Sequence, residues 1–204
     1  MPDHTTEQEL NDRLALIERM IAEGRRTTES WGWTFVLWGV VYYVAIAWSA
    51  WGNSAWAWPV TVLIGVVATI AIASGKSGHH PETTLGRAVG SIWMALGISM
   101  CLLLPALGLS GRLADQHVFM AVVSAILGMA NSASALLLRW KVQFACAVVW
   151  WLASVATCFG TDVQSLTVFL GAIFLCQIVF GTYAMMAGTH PKRPASFDAR
   201  SARA

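Results

Sequence analysis

Six long apolar runs, separated by short polar breaks, dominate the hydrophobic pattern of this 204-residue chain. A helix needs about 20 mostly apolar residues to cross a bilayer, and each run comes close to that length or exceeds it. None of them carries Lys, Arg, Asp or Glu in its interior. The pattern therefore predicts an all-α integral membrane bundle of six transmembrane helices. The predicted spans are residues 31–50, 55–74, 88–109, 117–138, 142–159 and 164–188.

A different pattern precedes the first span. Four apolar residues recur at intervals of four, three and four, which places them on one face of a helix. These residues are Leu10, Leu14, Ile17 and Ile21. We predict an amphipathic helix over residues 7–22, ended by Gly24, because glycine is common just past the end of a helix. Residues 1–30 then form this helix and a linker, residues 31–188 the transmembrane domain, and residues 189–204 a disordered tail.

Composition and charge support a membrane location and give it a direction. Hydrophobic residues make up 56% of the chain and charged residues 12%, against about 45–50% and about 25% in soluble domains. With the N-terminus inside, 12 of the 13 Lys and Arg residues are cytoplasmic and only Arg112 is outside. The positive-inside rule therefore predicts that both termini are cytoplasmic. No basic patch is interleaved with aromatic residues, so we expect no nucleic-acid partner.

The apolar stripe of the N-terminal helix is the clearest candidate for a partner interaction. Such a stripe can lie on a membrane surface or pair with another helix, including a copy of itself. Acidic residues in the same helix weaken the case for anionic lipid, and the stripe is too short for a stable isolated coiled coil. We expect it to dock a cytoplasmic protein or to fold back onto the cytoplasmic face of the bundle.

Two amides lie within the predicted spans, Asn131 in the fourth and Gln177 in the sixth. At about 1.5 Å per residue, each lies about 20 Å from the outer end of its helix, so the two could meet. An interhelical hydrogen bond between them would contribute about 0.6 kcal/mol and at most about 2. The alternative is a polar ligand site completed by Tyr42, Tyr43 and Ser99.

Small residues mark one side of the fourth span, at Ser124, Gly128 and Ser132. Small residues four apart let helix backbones approach closely, so we interpret this side as a helix-packing face. A substrate cavity lined by small groups is the alternative. Gly- and Ala-rich faces also favour a homo-oligomer, whose number of subunits the sequence does not give.

Catalytic and metal-binding patterns are weak. Residues 108–111 read GLSG, like the serine motif of intramembrane proteases, but Ser110 falls in a predicted loop and His117 lies at an outer helix end. The loop residues His79, His80 and Glu82 offer fewer well-placed ligands than a zinc site needs. We therefore expect no enzyme activity, no metal and no cofactor.

The segment from Ile17 to Ile21, followed by the Trp- and Gly-rich run from Glu29 to Gly39, resembles the start of a group of uncharacterised small bacterial inner-membrane proteins. Members of the group share a short charged helix before a Trp- and Gly-rich first span. The resemblance covers about the first 40 residues. It implies a location in the bacterial cytoplasmic membrane, and it brings no activity or catalytic residue.

Two functions follow from these patterns. The first is a non-enzymatic membrane protein that docks or regulates a cytoplasmic partner through its N-terminal helix. The second is a small permease, or a membrane protein that binds lipid or a small molecule, with a polar site between the fourth and sixth spans. A water-accessible cavity at Asn131 would favour the second function, and a dry, closed bundle would favour the first.

Overall fold

A computed structural model of the protein describes residues 4–52, 56–75, 84–109 and 115–189. Throughout these ranges the chain is helical, without a strand. The helices are α1 (His4–Ser30), α2 (Gly32–Gly52), α3 (Ala57–Gly75), α4 (Thr84–Leu109), α5 (Gln116–Leu137), α6 (Lys141–Phe159), α7 (Asp162–Ile173), a π-helix (Phe174–Val179) and α8 (Phe180–Thr189). Six helical stretches are long and apolar enough to cross a membrane, which confirms the predicted six-helix architecture. The last of them consists of α7, the π-helix and α8.

Several predicted features lie outside the described residues. They are the tail from residue 190 onwards, the loop with His79, His80 and Glu82, and Ser110.

The predicted end of α1 at Gly24 is wrong, since the helix continues to Ser30. Gly24 is buried, and a Cβ atom at this position would lie 2.9 Å from Leu85 Cβ and 3.0 Å from Leu138 Cδ2. Glycine therefore serves here to let α1 approach the start of α4 and the end of α5. Close packing stabilises the helix across a residue that would otherwise favour its end.

A single residue, Trp31, joins α1 to α2. The Trp31 N–H donates to the Thr28 carbonyl at 3.1 Å, and the Trp31 carbonyl accepts from the Thr34 N–H at 2.9 Å. Hydrogen bonding therefore continues through the junction.

Contacts with the last span show that the end of α1 and the start of α2 run in the same direction. Glu29 lies beside Gly188, Gly32 beside Gly181, and Gly39 beside the π-helix. As the chain runs from α1 into α2, it contacts progressively earlier residues of the last span. The last span therefore runs antiparallel to both helices. As a result, α1 leaves the bundle in the direction of α2.

The core lies between α2, α5, α6 and the last span, and α5 and α6 form a tightly packed hairpin. Its largest fully buried apolar side chains are Trp140, Trp150, Met120, Leu127, Leu138 and Ile173. By contrast, α3 packs mainly along α2, and α4 packs along α5 and α1. Both of these outer helices expose large apolar side chains, which suits helices that face lipid.

The turn between α5 and α6 has an unusual residue at its tightest point. The Trp140 N–H donates to the Ala135 carbonyl at 2.9 Å and the Arg139 N–H to the Leu136 carbonyl at 3.3 Å, the hydrogen bonds of a Schellman motif. That motif places one residue in the left-handed region, usually glycine. Here it is Arg139, with a φ of 48°, and a side chain in that conformation costs about 1–2 kcal/mol.

Candidate functional site

The first half of α1 stands clear of the bundle. Every residue from Gln8 to Arg19 is exposed, and the stripe residues Leu10, Leu14 and Ile17 are 59%, 52% and 52% exposed. Since α1 first packs tightly on the bundle at Gly24, the stretch from Gln8 to Gly24 projects beyond it by about 24 Å at 1.5 Å per residue. An exposed apolar stripe on a projecting helix is a typical protein-docking surface.

The stripe has a defined direction. The stripe residues are spaced three and four apart. Continued past Ile21, the same spacing reaches Gly24 and then Thr28, which are both buried against the bundle. Residues on one helical face point the same way, so the exposed stripe faces the space over the end of the bundle. We call this space the notch: its wall is formed by Leu10, Leu14 and Ile17, and it begins where Gly24 of α1 covers Leu85 and Leu138.

Three exposed basic residues lie at this end of the bundle. Arg87 lies two residues after Leu85, on the opposite side of α4, and Arg139 and Lys141 belong to the turn that follows Leu138. In the described part of the chain, none of these three side chains forms an ion pair. Arg25 is placed differently, since its guanidinium lies 5.2 Å from the centre of the Trp140 ring.

The register of the α5–α6 hairpin fixes the depth of Asn131. Ser154 Oγ donates to the Ala121 carbonyl at 2.8 Å, and counting along the antiparallel pair from this bond puts Asn131 level with Phe144, two residues from Cys146 and so about 3 Å from its level. Cys176 Sγ in turn lies 3.5 Å from the Cys146 carbonyl oxygen. Its neighbour Gln177 is therefore at a similar depth to Asn131, in agreement with their equal distances from their helix starts.

The expected hydrogen bond between these two amides is not made. Asn131 Nδ2 donates to the Leu127 carbonyl of its own helix at 2.9 Å, while Asn131 Oδ1 and Gln177 Oε1 are both buried without a partner. Gln177 belongs to the π-helix, and its Cβ would be 2.9 Å from a Cβ placed on Gly39. The π-helix turns Gln177 towards α2, and π-helical turns are frequent at functional sites.

Other buried polar atoms also lack partners. Both side-chain polar atoms of Gln143 are unpartnered, as are the Oγ atoms of Ser124 and Ser134 and Nε1 of Trp150. By the hairpin register, Ser134 lies within about 3 Å of the level of Gln143, nearer the α1 end than Asn131. A buried polar group without a partner costs about 1–3 kcal/mol. These groups offer hydrogen-bond donors and acceptors without formal charge.

The structure does not gather all the residues predicted for a polar site. Tyr43 Oη donates to the Leu170 carbonyl at 2.8 Å, and Tyr42 packs against Trp38 and Trp58. Ser99 lies on the exposed side of α4 and donates to the Ala95 carbonyl. Both tyrosines thus contact neighbouring helices, whereas Ser99 is separated from the amides.

The predicted packing face of α5 lies inside the bundle. Ser124, Gly128 and Ser132 are all buried. A Cβ on Gly128 would lie 2.5 Å from Trp151 Cδ1, so the indole of α6 occupies the space that the missing side chain leaves. Small residues here allow α5 and α6 to pack closely.

Two open grooves on the surface of the described residues are apolar. One is an open groove of about 300 Å³ between α6 and α7, beside Ala153 and Gly171. The other, of about 520 Å³, lies beside Trp48 and Trp51 at the end of α2. Neither is lined by Asn131 or Gln177, so neither reaches the buried amides.

A polar cluster at the end opposite α1 joins three helices. His117 Nε2 lies 2.8 Å from Asp162 Oδ1, and His117 Nδ1 lies 2.8 Å from the Thr157 carbonyl oxygen. Ser165 Oγ is 3.1 Å from His117 Nδ1 and 3.2 Å from the Thr157 oxygen. This cluster links the start of α5, the last turn of α6 and the start of α7.

The cluster contains Ser, His and Asp, yet its geometry does not fit a nucleophilic serine. A carboxylate and a carbonyl oxygen only accept hydrogen bonds, so the cluster makes both of these bonds only when both ring nitrogens of His117 carry protons. A doubly protonated imidazole cannot take the proton of Ser165, as a general base must, and Ser165 is fully buried. The arrangement instead holds helix ends together, and it satisfies one of the carbonyls left free at the end of α6.

Comparisons with known proteins add no identity. No family model, no curated protein and no solved structure matches this chain. The resemblance of the first 40 residues to a group of bacterial inner-membrane proteins therefore stays a prediction. Any function has to be argued from the residues themselves.

Sequence reasoning missed two sets of residues. Gln143 follows a charged turn and so looks like a solvated interfacial residue, but it is fully buried. In sequence, His117 lies 45 residues from Asp162 and 48 residues from Ser165. Only the packing of α5 on α7 brings the three together. The one available signal was that His117 and Asp162 lie at the starts of the fourth and sixth predicted spans, on the same predicted side of the membrane.

Proposed function

We propose that this protein is a non-enzymatic, multi-pass protein of the bacterial cytoplasmic membrane that docks a cytoplasmic protein through α1. The observation that carries the proposal is the exposed stripe of Leu10, Leu14 and Ile17 on a helix that projects from the bundle. Burial of a Leu or Ile side chain contributes about 1.5–3 kcal/mol. Three such residues left in water would be a liability without a partner.

The orientation is part of the proposal. With both termini in the cytoplasm, α1 and the notch lie on the cytoplasmic side, together with 12 of the 13 Lys and Arg residues. The direction of α1 argues against a helix that lies flat on the membrane, because α1 continues the line of the membrane-spanning α2. Its stripe would therefore stand away from the lipid surface.

Pairing of α1 with a second copy is disfavoured by the direction of the stripe. A two-fold axis that brought two stripes together would run beside α1, on the side that its own bundle end occupies. Two bundles in one membrane would then overlap. Homo-oligomerisation through the Gly- and Ala-rich faces of the spans stays a separate prediction.

Site-specific photo-crosslinking in cells tests the proposal. A photoreactive amino acid replaces Leu10, Leu14 or Ile17 in turn, with Asp12 and Arg19 on the opposite face as matched controls. We expect protein crosslinks from the three stripe positions and none from the controls. Crosslinks to lipid alone, or an equal yield from both faces, would contradict docking through the stripe.

The buried amides favour a second candidate function, a small permease or a protein that binds a small polar molecule. Three amide side chains without full hydrogen bonding lie on α5, α6 and the π-helix. A neutral ligand with a donor and an acceptor would satisfy them. The closed packing around Asn131 favours the docking function over this one.

The variant Gln143→Leu separates the two candidates. If a polar ligand or water bonds Gln143, the substitution lowers the free energy of unfolding by about 1–3 kcal/mol. In a dry bundle it raises that free energy by a similar amount, because an unpartnered amide is removed. Thermal unfolding in detergent measures the sign, and Ser99→Ala on the exposed face of α4 is the control.

A further inference from the structure

We infer that the tail, residues 190–204, lies along α1 and covers the stripe formed by Leu10, Leu14 and Ile17. The chain itself then occupies the stripe until a cytoplasmic partner displaces the tail. As a device that regulates docking, this contact rests on the proposed function. The contact between the tail and α1 does not itself depend on a partner.

The end of α8 places the start of the tail beside α1. A Cβ atom on Gly188 would lie 3.4 Å from Glu29 Cβ, and α8 ends one residue later, at Thr189. Because the last span runs antiparallel to α1, the chain leaves α8 in the direction of the projecting half of α1. The tail therefore begins next to α1 and is directed towards the stripe.

The tail is also long enough to reach the stripe. Leu14 lies 15 residues before Glu29, which is about 22 Å along the helix at 1.5 Å per residue. Phe197 lies nine residues beyond Gly188, and nine extended residues span up to about 30 Å. Two prolines between them favour extended over helical backbone. Phe197, the one large apolar side chain of the tail, can therefore reach Leu14.

Charge favours the same contact. The exposed stretch of α1 from Gln8 to Arg19 carries three acidic and two basic residues. The tail carries four basic residues and one acidic residue, which are Lys192, Arg193, Arg200, Arg203 and Asp198. The two surfaces thus have opposite net charge, which favours and orients their contact.

Two glutamates place acidic charge on the side of α1 that faces α8. Glu18 precedes Glu29 by 11 residues, or three helical turns, so both lie on one side of the helix. Glu18 also follows Leu14 by four residues and therefore borders the stripe. Within the described residues, neither glutamate forms an ion pair. A basic tail that runs from α8 towards Leu14 passes both of them.

Photo-crosslinking within single molecules tests the contact. The full-length protein, with a photoreactive amino acid at Leu14, is placed as one copy per nanodisc in phosphatidylcholine with and without phosphatidylglycerol. Mass spectrometry maps the crosslinked peptides. We expect crosslinks from Leu14 to residues 190–204 in both membranes, and none from Asp12 on the opposite face of α1. The yield should fall as salt is added.

Variants assign the contact to charge. Glu18→Gln should lower the crosslink yield from Leu14 about twofold, as loss of one exposed ion pair does. Asp12→Asn removes an equally exposed acid from the opposite face and should leave the yield unchanged. Reversal of the tail charge by Lys192→Glu with Arg193→Glu should lower the yield about fivefold. Glu18→Arg in that background should restore part of it.

Three results would overturn the inference: crosslinks from Leu14 to lipid alone, an equal yield from Leu14 and Asp12, or a yield that ignores the charge changes. Anionic lipid also attracts basic segments next to a membrane. Contacts that form in phosphatidylcholine and vanish with phosphatidylglycerol would assign the tail to lipid headgroups, and would overturn the inference as well.

Crosslinking in cells separates this inference from the docking function. A chain truncated after Thr189 should give about threefold more crosslinks between Leu14 and the cytoplasmic protein, because the competing tail is absent. An unchanged yield would overturn regulation by the tail. If tail contacts form in nanodiscs but neither chain crosslinks a partner in cells, the docking function fails and the contact stands. If partner crosslinks form without tail contacts, the docking function stands and the inference fails.

Discussion

His117 shows how a single side chain can hold three helix ends. Neutral imidazole has one N–H, but His117 faces two acceptors, the Asp162 carboxylate and the Thr157 carbonyl. The complete cluster therefore needs the protonated ring. Asp115 lies close by, and its carboxylate accepts the His117 backbone N–H at 2.9 Å. Both described acidic groups around the ring favour the cation.

The stabilising effect of His117 should therefore depend on pH. The protonated ring makes both hydrogen bonds at low pH, and one of them is lost when the ring releases a proton as pH rises. We expect His117→Gln to lower the melting temperature more at about pH 5 than at about pH 9, on either side of the ordinary imidazole pKa of about 6.5. Asp162→Asn, which keeps the shape of the side chain, should reduce that difference.

Thermal unfolding of the three proteins in detergent across this pH range measures the effect. An effect of His117→Gln that stays constant with pH would show that the ring acts in one protonation state only.

Single residues also mark the limit of sequence reasoning. Helix counting is enough to place Asn131 and Gln177 at similar depth. It does not show which way each amide points. A helix that is apolar on every side has no sequence pattern that fixes its rotation about its own axis. The same uniformity in α6 hides the burial of Gln143, and the π-helix that turns Gln177 towards Gly39 has no known sequence signal.

At the scale of elements, glycine sets the distance between α2 and the last span. A Cβ on Gly181 would lie 2.8 Å from Val36 Cγ2, 2.9 Å from the Gly32 carbonyl oxygen and 2.9 Å from Phe35 Cβ. Two of these three atoms belong to the backbone or lie next to it, so they cannot move without a shift of the helix. The two helices are in contact through their backbones.

We therefore expect Gly181→Ala to lower the free energy of unfolding by about 1–3 kcal/mol, as overpacking does. Gly90→Ala is the matched control, since a Cβ there meets nothing within 4 Å and alanine favours the helix by up to about 1 kcal/mol. Unfolding in mixed micelles measures both variants. Equal effects would mean that α2 and α8 are less closely packed than described.

Element boundaries were predictable where polarity changes abruptly and unpredictable where packing decides. All six spans follow from length and apolar composition, because lipid requires helices with internal hydrogen bonds. The end of α1 did not follow, since Gly24 has the local signature of a helix end. Only contact with Leu85 and Leu138, which are distant in sequence, explains why the helix continues.

For the whole molecule, the central prediction is its direction in the membrane. We expect a cysteine at Asp12 to be protected from a membrane-impermeant maleimide in intact cells, and a cysteine at Gln116 to react. The background protein carries alanine at the four native cysteines, two of which are exposed. Both sites should react after permeabilisation. Labelling of the Asp12 position from outside would reverse the topology and place the notch outside the cell.

The continuous junction between α1 and α2 connects the projecting helix directly to the core of the bundle. Only Trp31 separates the projecting arm from the membrane-spanning arm, and hydrogen bonds continue across it. Eight residues further on, Gly39 lies against the π-helix at Gln177 and Ile178. We expect a tilt of the tip of α1 to change the packing at the one turn of the last span that departs from regular α-helical geometry. Binding at the projecting end of α1 would then alter the packing deep inside the bundle.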